Sequence, residues 1–230
     1  MKYEYYYNNV PGETPSRNNL IYTSLISEDK KTFVQWYHND TEYHKGQNEI
    51  VDPDLMKEKW NREVTYLKLM SYHYPNLIPN IIDIDYDQHK IFLSIDGIDF
   101  WNRASCSVDH YSSVLSDWQE QMLEIIQAHK NLGLYKYSMH PSSYFMVNGQ
   151  LKSINYFFTY HQSEGPISIA DHSSHIHSSR QAVMKQQIKA MELSWDQPEP
   201  LNKLQHLCFE SFRSNYTDEF INRAKEIYND

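Results

Sequence analysis

The 230 residues carry a formal charge of −9, with 21 Lys and Arg against 30 Asp and Glu. That balance excludes a general nucleic-acid binder, whose phosphate affinity comes from clustered cations, and leaves room only for a local basic patch. Nineteen Tyr, nine Phe and five Trp imply a core rich in rings, and because a buried Tyr hydroxyl needs a partner, many rings are expected at boundaries and grooves on an adhesive surface. The length allows one large domain or two small lobes. Two distant cysteines, Cys106 and Cys208, read as reduced residues of a reducing compartment. With no apolar leader and no membrane-length apolar run, the expectation is a soluble, cytoplasmic protein without a membrane partner.

In chain order, residues 1–19 read as an extended N-terminal arm, punctuated by Asn8-Asn9, Pro11-Gly12 and Pro15. Leu20–Ile26 and Lys31–His38 are β-branched and aromatic around a charged turn, so they read as a hairpin, followed by a loop with Gly46. Residues 54–72 place Leu55, Met56, Trp60, Val64, Leu67 and Met70 at helical spacing behind Asp52-Pro53-Asp54. A proline-punctuated connector leads to two strands, IIDIDY and KIFLSI, joined by the tight turn DQHK. Residues 96–112 form a natural hinge, and a second long helix runs from Ser113 to Leu132, ending near Gly133. The stretch 135–157 then reads as a His-Pro turn, a strand over Tyr144–Val147, an Asn148-Gly149 hairpin turn and a strand over Leu151–Phe157. A polar, histidine-rich segment (160–179), a helix over 179–191, the loop WDQPEPL and the helices LNKLQHLCFESF and TDEFINRAKEIY complete the chain.

Two runs carry a family resemblance. NREVTYLKLMSYHYPNLIPNIIDIDYDQHKIFLSI resembles the protein-kinase run from the helix with the paired glutamate into the fourth and fifth strands of the small lobe. QAHKNLGLYKYSMHPSSYFMVNGQLKSINYF resembles the large-lobe run that ends in the catalytic loop and the metal-binding Asp-Phe-Gly. The likeness covers roughly residues 20–160. It implies an α+β, two-lobed protein-kinase-like fold: a small antiparallel sheet plus helix over 20–100, and a compact, mainly helical lobe over 101–230. A looser likeness is to kinase-like proteins of tailed phages of marine bacteria, which would place the chain in a host cytoplasm.

Kinase chemistry needs a lysine on the third strand, a glutamate to hold it, an aspartate for the acceptor hydroxyl, and Asn and Asp for magnesium. Carried across by the resemblance, the lysine position is Gln35, a neutral group, and the glutamate is Glu63, with no partner evident in the sequence. The catalytic triplet aligns with Lys136-Tyr137-Ser138, so a hydroxyl stands where the base should be. The magnesium asparagine becomes Ser143, the metal aspartate Asn155 and the following glycine Phe157. Neutral oxygens are weak ligands for so hard a cation. No glycine lies between Leu20 and His38 to form a phosphate nest. The chain therefore resembles a pseudokinase, for which ATP and magnesium are disfavoured as cofactors.

Plainer readings stand beside these. The 135–157 pattern is also what any hairpin shows, and Glu63, next to Arg62, is equally readable as a solvated helix charge. Asp171, His172, His175 and His177, with His140 and His161, are weak candidate metal ligands whose spacing fits no zinc signature. The arm tyrosines Tyr3, Tyr5, Tyr6 and Tyr7 read as a packed strand or as a partner-binding strip. Three functions follow as expectations: an inactive kinase-like protein-binding module, an atypical phosphotransferase with relocated acids such as Asp171, or a structural or assembly protein on the same fold.

Overall fold

The structure is a computed structural model that describes residues 2–7, 10–11, 22–38, 53–95, 112–113, 115–136, 143–157, 159–164 and 216–229. Ser138, His140, Asp171, His172, His175, His177, both cysteines, Gly46, the 96–111 stretch and the expected helices over 179–191 and 201–212 lie outside the described residues. The fold is α+β.

The hairpin expected at residues 20–38 forms as β1′s neighbours in one antiparallel sheet. Taking the strands in chain order, β1 is Tyr3–Tyr7, β2 Val10–Pro11, β3 Thr23–Ser27 and β4 Thr32–Trp36. The β3–β4 turn is held by Ser27, whose Oγ donates to Asp29 Oδ1 (2.5 Å) and accepts from Thr32 N (2.9 Å). β5 (Ile81–Asp85) and β6 (Lys90–Ser94) are joined by a turn in which the Asp85 carboxylate accepts the N–H groups of Asp87 (3.1 Å) and Gln88 (2.9 Å), a local side-chain turn of the kind aspartate favours. β6 pairs with β4 (Val34 opposite Phe92), so the sheet order is β2-β1-β3-β4-β6-β5.

The extended arm needs correction. Tyr3–Tyr7 is a strand, with Tyr3 opposite Ser27 and Tyr5 opposite Leu25, and the Tyr3 ring centroid 6.1 Å from that of Phe92. The otherwise open edge of β3 supplies backbone partners, and Asn8-Asn9 and Pro11-Gly12 end the strand rather than prevent it. The glycine-free stretch Leu20–His38 is accordingly the second hairpin of the sheet; the connection between its first two long strands runs through residues 8–22 and carries Gly12.

Helix α1 (Pro53–His73) opens on a proline, which the first helical turn tolerates because its missing N–H would be unpaired there. It ends before Pro75, where a 3-10 turn (Pro75–Leu77) takes over. Trp60, Val64, Leu67 and Met70 are buried in the stripe that the spacing predicts. Helix α2 (Trp118–Asn131) starts later than Ser113, and buries Trp118, Met122, Ile125, Ile126 and His129. Helix α3 (Asp218–Asn229) is capped by Thr217 Oγ1, which accepts Phe220 N–H (3.1 Å). Phe220 packs its ring 5.5 Å from Trp118 on α2. Full burial of each large apolar side chain contributes about 1.5–3 kcal/mol before entropic costs.

The remaining strands are β7 (Leu134–Lys136), β8 (Tyr144–Val147), β9 (Gln150–Ser153) and β10 (Thr159–His161). β8 and β9 are the expected Asn-Gly hairpin, with φ +52° at Asn148 and +73° at Gly149, the pair of positive angles a type I′ turn demands. β9 stops at Ser153 rather than continuing to Phe157, because Asn155 adopts φ +64° and turns the chain. β10 pairs antiparallel with β7, placing Thr159 opposite Lys136, so the start of the histidine-rich segment is strand rather than loop. The expectation of a mainly helical 101–230 is thereby corrected: among the described residues it holds two helices and four short strands. Phe33 of β4 and Phe145 of β8 meet at 4.8 Å, and Tyr22 and Phe157 at 6.1 Å, which fuses the sheet and the hairpin into one core.

Gly133 ends α2 with φ +64° and donates its N–H to Lys130 O (2.8 Å), a left-handed C-terminal cap. A Cβ there would fall 2.8 Å from the Gln162 side chain. Gly133→Ala is expected to lower stability by about 1–2 kcal/mol, read as a lower urea midpoint at unchanged slope.

Candidate functional site

Four of the five positions singled out by the kinase alignment come together. Gln35 lies on β4, Glu63 in the middle of α1, Ser143 just before β8 and Asn155 just after β9. Gln35, Glu63 and Ser143 are each 0% exposed and Asn155 5%. Asn155 is the hub. Its Oδ1 accepts from Tyr22 OH (2.6 Å) and from Gln35 Nε2 (3.0 Å), its Nδ2 donates to Ser143 Oγ (3.2 Å), and its backbone N–H donates to Glu63 Oε1 (3.1 Å). One neutral side chain thus ties the segment before β3, β4, α1 and the β8–β9 hairpin together. The left-handed backbone at Asn155 suits an asparagine, among the non-glycine residues that best tolerate it.

Glu63 is therefore no solvated helix charge. It sits on the same helical stripe as Trp60, Val64, Leu67 and Met70, whose burial carries it inward. Burial pushes its carboxyl up to about 7; the nearby Lys136 ammonium, the Tyr37 hydroxyl and the backbone N–H groups of Tyr156 and Phe157 pull the other way. Lys136 is itself buried, with its ammonium 5.3 Å from the Tyr144 ring centroid and 5.4 Å from that of Tyr156, a cation held against two aromatic faces. His129 Nε2 and Tyr156 OH are hydrogen-bonded at 3.0 Å. Burial, and then the Lys136 charge, push His129 down to about 3, so it is neutral. Burial also raises the Tyr22 and Tyr37 hydroxyls above the ordinary phenol range.

Reasoning from the residues alone missed Tyr22, Tyr37, His129 and Lys136. His129 had a signal: it continues the apolar series Trp118, Met122, Ile125, Ile126 on one face of α2. Tyr22 had none, being one of nineteen tyrosines. Ser138, the fifth aligned position, and the Asp171–His177 cluster fall outside the described residues. His161, grouped with that cluster by sequence, is bonded to Ser163 Oγ (2.6 Å) at the end of β10. Among the described residues no cluster of three or more His, Cys, Asp or Glu is placed to hold a metal, and no helix is long and apolar enough to cross a membrane.

What the hub offers chemically is narrow. Its hydrogen-bonding groups are two carboxamides, a phenol and an alcohol, already spent on one another, with a single carboxylate turned into backbone N–H groups. Such a set can hold elements together; it presents no base, nucleophile or open anionic pair. No protein-family model matches the chain, and no curated protein matches it.

Proposed function

We propose that the chain is a two-lobed, kinase-like protein without phosphotransfer activity, which acts by binding another protein. The observation that carries this reading is the 3.0 Å hydrogen bond from Gln35 to Asn155. In kinase catalysis the corresponding positions hold a lysine for the phosphates and an aspartate for magnesium. Here two amides satisfy each other, inside a buried network that leaves neither for a ligand. A magnesium–nucleotide complex needs carboxylate oxygens and cations around it, and the residues present do not fit it.

The architecture supports the same reading. Gln35 lies on the third of three successive five-residue strands, the helix bearing Glu63 follows it, and two more strands complete the antiparallel sheet. The connection where a phosphate-covering loop would run, residues 8–22, has Gly12 as its one glycine, short of the three that a Gly-rich loop uses. A binding role is supported by the surface along β5 and its turn, where Ile82, Asp83, Tyr86 and Asp87 are exposed, since aromatic residues are enriched at protein interfaces.

The competing reading is a phosphotransferase whose acid has moved, with Asp171 as the candidate. Incubation with labelled ATP, magnesium and either the chain itself or a generic protein acceptor decides between them. The expected result is no transfer above the buffer blank. Transfer that is lost in Asp171→Ala and kept in Ser138→Ala would establish the phosphotransferase instead.

A further inference from the structure

Four buried polar atoms on two facing surfaces have no hydrogen-bond partner: Gln35 Oε1, Tyr37 OH, Trp60 Nε1 and Glu63 Oε2. Gln35 and Tyr37 are two residues apart along β4 and its continuation, so they point to the same side of the sheet. Trp60 and Glu63 are three apart on α1 and share one helix face. Because Gln35 and Glu63 both bond to Asn155, those two faces meet across a seam between β4 and α1. Unpaired buried groups are rare, and each costs desolvation that nothing returns.

Two of the four are acceptors, the Gln35 and Glu63 oxygens, and two carry donors, the Tyr37 hydroxyl and the Trp60 indole N–H. A water molecule donates twice and accepts twice. The Tyr37 hydroxyl is close enough to the Glu63 carboxylate to favour its charged form, yet neither atom reaches hydrogen-bond geometry, as a molecule interposed between them would produce. We propose that the seam between β4 and α1 is a binding site for enclosed water, held by Gln35 Oε1, Tyr37 OH and Glu63 Oε2 and closed by the Trp60 indole. The site stands on the geometry of orphaned atoms and is independent of the kinase-like reading. Its consequence is that the one carboxylate of the hub is solvated from within, so Glu63 keeps a polar partner on each of its two oxygens.

The test is a high-resolution crystal structure of the full chain together with thermal melts of Tyr37→Phe. Expected are a solvent peak within hydrogen-bond distance of at least three of the four atoms, and a lower Tm for Tyr37→Phe, because the water loses a partner. A seam without density overturns the proposal. So does a Tm equal to or above that of the wild type, the result for removing a hydroxyl that had no partner. Crystals grown with rubidium in place of sodium separate the remaining occupant: an anomalous signal at the peak would make it a monovalent cation and overturn the assignment to water.

Discussion

Asn155→Ala is expected to be the most damaging single substitution in the hub, costing about 3–5 kcal/mol. The Tyr22 hydroxyl and the Gln35 amide would lose their common acceptor, and Ser143 its donor, all inside the core. Each buried group left unpaired costs about 1–3 kcal/mol. Alanine at φ +64° adds about 1 kcal/mol more. Asn155→Gly separates the two contributions, since it forfeits the same hydrogen bonds but accepts the backbone. Glycine is expected to lie between alanine and the wild type in chemical denaturation. An alanine variant within about 0.5 kcal/mol of the wild type, the range of an ordinary surface change, would show that the network holds nothing together.

The second large effect is in the pH dependence of stability. Glu63 holds its proton to about 7 when folded, well above the ordinary carboxyl range. As pH rises from about 4.5 the unfolded chain gives up that proton first. The folded state binds more protons across this window, so stability falls as pH rises towards 7 and levels off above it. The loss is about 3 kcal/mol. His129 works in the opposite sense, remaining neutral down to about 3 when folded. The unfolded chain takes up that proton near 6.5, and stability falls as pH drops below that value. Between about 4.5 and 6.5 the two slopes oppose each other. Glu63→Gln removes one of them while preserving an acceptor for Asn155 N–H. Relative to the wild type, this variant is expected to gain about 3 kcal/mol between pH 5 and pH 8. Urea titrations at both pH values check this, and a difference that does not change with pH would mean Glu63 ionises as an exposed carboxyl does.

Much of the sheet and of the hub was legible in the sequence, and the reasons are local. The α1 stripe of Trp60, Val64, Leu67 and Met70 is a long helical period, and Asn148-Gly149 between apolar runs allows few other turns. Gln35, Glu63, Ser143 and Asn155 were found because the alignment compares positions, and a position survives when its residue type has changed. What failed needed long-range partners. Tyr3–Tyr7 is a strand only because β3 offers it an edge, and β7 and β10 are three residues each, paired across the whole hairpin. Glu63 and Lys136 were undecidable as isolated charges, since burial of a charge depends on what the far elements bring to it. Tyr22 joins the hub through a contact 133 residues away.

The account rests on a simple electrostatic proposition: amides, alcohols and one inward-turned carboxylate cannot grip a triphosphate bridged to a divalent ion. Differential scanning fluorimetry of the full chain, titrated with ATP at fixed magnesium and repeated with EDTA, tests it most directly. Anything that binds only the folded state must raise Tm, by an amount equivalent to about 2.7 kcal/mol at a hundredfold excess over Kd. The account predicts no shift at millimolar nucleotide. A saturating rise in Tm that EDTA abolishes would contradict it.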